Sequence, residues 1–146
     1  MKTVLILVIS ATVLILAIGY YTCDHPFPGF KPVVTKVSIQ SPHHDDVLYI
    51  KRKAWGLLGN SQVIVVTNSP DEQFEPDADR EYVFRGLSGF FYEFEGDTLT
   101  VYVRAASGVP KDLHTEIHIK QVVLNNPDMM DMHDTYKERG LQELAW

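Results

Sequence analysis

Residues Val4–Tyr21 read VLILVISATVLILAIGYY and contain no charged side chain. No other feature limits the fold of this chain so strongly. As a helix, 18 residues rising 1.5 Å each reach about 27 Å, close to the ~30 Å hydrocarbon core of a bilayer. A helix of that length buried in a soluble core would carry a polar stripe, and this one has none. Tyr20 and Tyr21 suit the interfacial aromatic position, with Lys2 before the segment and Asp24 after it. The single-pass reading therefore puts the N-terminus in the cytoplasm and the rest of the chain outside. Two alternatives remain open. Ala17-Ile18-Gly19 matches a small-x-small cleavage site, which would release the mature chain. Cys23 could instead carry a lipid.

Setting that segment aside leaves roughly 115–120 residues, enough for one domain with a real core and too few for two. The division expected is residues 1–21 as membrane anchor or signal, 22–32 as a stalk, and 33–146 as the folded domain. The stalk, TCDHPFPGFKP, holds three prolines, which preclude a helix. Net charge is −6 for the whole chain. An acidic domain is a poor candidate for nucleic acid, which needs a basic patch. With Cys23 the only cysteine, no intrachain disulfide can form.

From Val33 onward the hydrophobic period becomes two. Val33, Thr35, Val37 and Ile39 alternate with Val34, Lys36, Ser38 and Gln40, the signature of a half-buried strand. Further strands are expected at 47–53, 62–67, 81–85, 90–95, 98–104 and 115–124, the 62–67 run being apolar enough for a central position. The intervening turn signals are Ser41-Pro42, Gly59-Asn60, Ser69-Pro70-Asp71, Gly96-Asp97 and Gly108-Val109-Pro110. The fold class expected is mainly β: an antiparallel β-sandwich or small barrel of about seven strands, with one C-terminal helix. Gly96-Asp97 is a two-residue hairpin loop. It pairs Glu95 with Thr98, Phe94 with Leu99, Tyr92 with Val101 and Phe90 with Val103. That register turns the apolar members of these pairs to the core. Glu93 and Thr100 are expected to be exposed on the other face. A helix is expected near 127–139, capped by Asn126, opened by Pro127 and ended by Gly140. Met129, Met132 and Tyr136 share one of its faces.

The segment Trp55-Gly56-Leu57-Leu58-Gly59-Asn60, the stretches Phe91-Tyr92 and Asp97-Thr98-Leu99, and the ending Tyr136-Lys137-Glu138-Arg139-Gly140-Leu141 resemble small bacterial membrane-anchored or lipoprotein-like β-domain proteins. The resemblance covers roughly residues 50–142. It implies an envelope location and supplies no activity.

Several residue groups could carry chemistry. His114, Glu116 and His118 alternate along one expected strand, and two imidazoles with a carboxylate are reasonable zinc ligands. The competing reading is the solvated face of a strand. His43-His44-Asp45-Asp46 is either a polar turn or a second ligand group, and the two histidine groups together would be stronger if they met. Met129, Met130, Met132 and His133 would suit Cu(I), although methionines also fill gaps between helix and sheet. Glu75, Asp77, Asp79 and Glu81 form an acidic loop that fails the EF-hand pattern, with Tyr82 and Ser88 at the positions that need Gly and Glu. It reads as a solvated acidic turn. Gly86-Leu87-Ser88-Gly89 is one residue short of a nucleophile elbow. Cys23 and His25 do not make a triad, and Gly56–Gly59 does not make a phosphate loop. No cofactor is expected.

Phe91 and Tyr102 face each other on the otherwise polar side of the hairpin, with Arg104 beside them. Aromatics and arginine favour a contact surface for an envelope partner protein. The alternative is that the C-terminal helix covers the rings with Met129, Met132 and Tyr136. The leading expectation for function is a non-enzymatic envelope module for binding, assembly or structure. The alternatives are an extracytoplasmic zinc- or copper-binding protein and a hydrolase.

Overall fold

Alternation dictates which side chains can share a core, and the strands of the structure, a computed structural model, follow it. Residues 12, 32–56, 61–72, 75–86 and 90–144 are described. The chain separates into two units, Met1–Lys31 and Pro32–Trp146. The expected membrane segment apart from Thr12, the stalk apart from Pro32, Cys23, His25, the Gly59-Asn60 turn and most of the 86–89 motif lie outside the described residues. Among the described residues, no helix is long and apolar enough to cross a membrane.

The domain is mainly β. In chain order it contains β1 (Val33–Gln40), β2 (Val47–Trp55), β3 (Ser61–Thr67), β4 (Tyr82–Arg85), β5 (Phe91–Glu95), β6 (Thr98–Val103), β7 (His118–Val123), α1 (Asn126–Thr135) and β8 (Gln142–Glu143). β1-β2-β3-β4 form one four-stranded sheet and β7-β6-β5-β8 a second. Leu48, Ile50, Ile64 and Phe84 of the first sheet and Tyr92, Leu99 and Val101 of the second belong to one buried cluster. The apolar run of β3 is explained by its inner position, since Ile64 and Val66 join that core while Val63 and Val65 are buried on the opposite face.

The hairpin register is the expected one: Glu95 pairs with Thr98, Phe94 with Leu99, Tyr92 with Val101 and Phe91 with Tyr102. Gly96 has φ +60°, and Asp97 has no positive φ, the combination of a II′ turn that matches strand twist. One expectation on this hairpin is overturned. Thr100 is buried and Glu93 half-buried, because α1 and β7 lie on or beside the face assumed to be open.

The second sheet also departs from an all-antiparallel pattern. β6 and β7 are parallel, from Thr98 opposite His118 to Val103 opposite Val123. Alternation reports which face is buried and says nothing of strand direction. Parallel neighbours need a crossover of roughly a dozen residues or more, and residues 104–117 supply it without a helix. This crossover is pinned as it goes. The Val83 amide donates to Ser107 Oγ (2.8 Å), and Gln121 brackets the Ser107 backbone with bonds of 2.7 and 3.1 Å.

The helix starts one residue earlier than expected. Asn125, in extended conformation, is the cap, and its side chain accepts from the Asp128 amide at 2.9 Å. Pro127 then falls within the first turn, where its missing N–H costs nothing. Regular helix stops at Thr135, and turns continue to Gly140. Leu141 N–H bonds Tyr136 C=O (2.9 Å) and Gly140 N–H bonds Lys137 C=O (3.1 Å), with Gly140 at φ +72°. This is a Schellman ending, which favours glycine at the left-handed position.

Candidate functional site

The first test of the sequence-derived sites is the Phe91 patch. Phe91 is 1% exposed and packs with Met129, Met132 and Leu141, flanked by Tyr102, Leu124 and Tyr136. Its ring lies 5.3 Å from that of Tyr136. Phe91 is therefore core beneath the helix and Tyr102 partly buried beside it, so the helix-covered alternative holds and the reading of Phe91, Tyr102 and Arg104 as a free partner surface is corrected at Phe91. A helix with an apolar face needs an apolar platform, and Phe91 is that platform. Arg104 stays exposed. The Tyr102 hydroxyl donates to Glu93 Oε1 at 2.7 Å, and burial together with this bond pushes the phenol up to about 12. Met129 and Met132 are spent on the same packing, whereas Met130 is exposed, so the methionines do not share a side.

The acidic loop disperses in a similar way. Glu75 pairs with Lys53 (3.1 Å) and Asp79 with Lys111 (3.3 Å), while Asp77 caps its own turn through the Asp79 amide (3.0 Å). Glu81 is 7% exposed, contrary to the solvated turn expected. It lies near Lys51, another buried charge of this face, whose pKa burial lowers while Glu81 and Asp71 oppose the shift.

The remaining polar groups converge. Three segments far apart in sequence meet at one end of the domain: the turn 41–46, the hairpin tip at Asp97, and residues 113–118 ahead of β7. The reason begins with Ser41, which is buried at the end of β1. Its Oγ donates to Asp97 Oδ1 at 2.5 Å and accepts from the amides of His43 (3.0 Å) and His44 (2.9 Å). That fixes the turn, and the two rings then fall beside carboxylates. His43 Nδ1 lies 2.7 Å from Asp97 Oδ2, and His44 Nδ1 lies 2.8 Å from Glu116 Oε2. His44 Nε2 is 4.0 Å from Asp97 Oδ2.

Asp46 holds the third segment. Its Oδ2 accepts from Thr115 Oγ1 (2.6 Å) and from the Glu116 amide (2.7 Å). The Thr115 bond, ahead of the backbone amides, keeps the Asp46 carboxyl below the usual aspartate range. Asp97 is lowered too, first by the Ser41 hydroxyl and then by the two histidines. An open depression of about 590 Å³ is lined by His44, Asp45, Asp46, Leu113, His114 and Glu116.

The two histidine groups singled out in the sequence are thus brought together in part. His44 meets Glu116 and shares a recess with His114. His118 does not line that recess: it opens β7, its amide bonds the Asp97 carbonyl (2.8 Å), and it lines a neighbouring recess with Val109, Pro110 and Glu116, the last shared by both. Among the described residues, no three His, Cys, Asp or Glu side chains are arranged to hold a metal ion. The Ser41 hydroxyl is directed at a carboxylate, and its lone pairs serve two amides. No protein-family model, curated protein or solved structure matches this chain.

Sequence reasoning missed Ser41, Asp97 and Thr115 as members of this junction. Asp97 was read only as a turn residue. The one available signal was Ser41-Pro42 followed directly by two histidines and two aspartates.

Proposed function

We propose that the chain is a membrane-tethered envelope module, a β-sandwich domain carried outside the cytoplasm on residues 4–21, and that it works by binding and assembly rather than by catalysis. The observation that carries the non-catalytic part is the use made of Asp46 and Asp97. General acid–base catalysis needs groups that titrate near the working pH. These two carboxyls are shifted the opposite way, and their oxygens are occupied in tying loops together. The tether rests on the uncharged apolar stretch Val4–Tyr21 and on the proline-rich residues that follow it.

The experiment is extraction and mass analysis of the full chain from membranes. Retention of Met1 or Lys2 at the N-terminus and a requirement for detergent support the tether. A mature chain beginning at Tyr20, recovered without detergent, would overturn it and make residues 1–19 a signal peptide. An acyl group on Cys23 would replace the spanning segment with a lipid anchor.

A further inference from the structure

The four sheet edges are treated unequally. On β4, the Val83 amide is taken by Ser107. On β7, the Gln121 side chain grips the crossover at Ser107. β8 has two residues. β1 has eight, and it pairs with β2 without a break from Val33–Ala54 to Gln40–Val47. Among the described residues, no strand pairs with its other side. It also lacks the usual protections of an edge: no proline and no bulge fall within Val33–Gln40. Its single lysine does not guard the edge, because Lys36 Nζ is drawn over the sheet face to Pro70 O (3.0 Å) and Glu72 (3.8 Å). Val33 is 66% exposed.

We propose that β1 is a self-association edge, where two copies of this chain pair antiparallel, β1 to β1, in the register centred on Val37. This inference rests on the tethered reading given above. A strand edge of this length is small beside the roughly 1,200–2,000 Å² of a stable interface, so pairing in dilute solution is weak. Tethering changes that. Only residues 22–32 separate the apolar stretch from β1, a reach of at most about 3.6 Å per residue. Two copies in one membrane therefore present this edge to each other at high effective concentration.

Symmetry and charge select the register. Faces match only when odd residues oppose odd and even oppose even. A twofold centre at Lys36 would set the two lysines directly opposite each other. A centre at Val37 sets Lys36 against Ser38, Thr35 against Ile39 and Val34 against Gln40, with no like charges facing.

The test uses the full chain in native membranes, with Val37→Cys and mild oxidation, and peptide mass mapping to separate a 37–37 disulfide from any bond through Cys23. Val123→Cys, at an exposed position of β7, reports random collision. The 37–37 product should dominate. Ser38 is exposed and should be neutral for folding, yet its charge should act with opposite signs. Adding Ser38→Lys should lower the 37–37 product at least about twofold, and Ser38→Glu should raise it. Equal crosslinking at 37 and 123, no 37–37 product, or the same effect from both Ser38 variants would overturn the proposal. Flotation of the same sample tests the tether separately. A membrane-bound chain without the 37–37 product defeats the pairing alone. A chain that fails to float but keeps the product and the Ser38 pattern defeats the tether alone.

Discussion

Phe91 and Asp97 belong to one hairpin, six positions apart, and they anchor two regions that are held by opposite physics. Around Phe91, a helix closes an apolar platform and water is excluded. Around Asp97, three loops are joined by hydroxyl, amide and imidazole contacts at a surface that stays wet. Phe91, on a nominally polar strand face, admits two readings from sequence, a docking patch or a seat for the C-terminal helix, and it is the seat of the helix. His43 and His44, which the sequence offers as a polar turn or a ligand group, are half of a loop junction. An apolar helix face without another partner thus claims the aromatic opposite it, whereas polar loops are joined by contacts that no periodicity marks.

The sharpest way to break this comparison is Phe91→Ala. Removing a fully buried aromatic costs about 3–5 kcal/mol, and the loss should appear equally at pH 7 and pH 4. A loss below about 1 kcal/mol in denaturant unfolding would mean that the helix does not depend on its platform.

The smaller effect distinguishes the junction. The Asp97 carboxyl is lowered in the folded chain, so the stability it contributes is present above the unfolded aspartate value and is lost as pH falls through the folded one. Asp97→Asn should therefore destabilise modestly at neutral pH and flatten the acid limb of the stability curve. Stability curves of the two chains that remain parallel down to pH 2 would show that the Ser41 and His43 contacts contribute nothing in solution.

How far the sequence reached follows the same division. The hairpin register was legible because period two and a Gly-Asp loop leave one consistent alignment, and the helix was legible from Pro127, the Met129/Met132/Tyr136 face and Gly140. The parallel course of β7 was not, since alternation is indifferent to direction and the crossover contains no helix. β8, with two residues, is too short to leave a pattern. The shift of the cap from Asn126 to Asn125 turned on two adjacent residues of equal capping strength. The junction was least legible, because its bonds span 56 residues from Ser41 to Asp97 and 70 from Asp46 to Glu116. No local signal joins such positions.

Both regions, and the β1 edge, serve an envelope module only if the domain stands outside the cytoplasm. The most direct measurement fuses a reporter after Trp146 in the full chain and assays it in intact cells. A reporter that works only after export, such as a periplasmic phosphatase, should be active there, and a strictly cytoplasmic reporter should be silent. The reverse pattern would contradict the orientation and, with it, the account of this chain as a tethered module of the envelope.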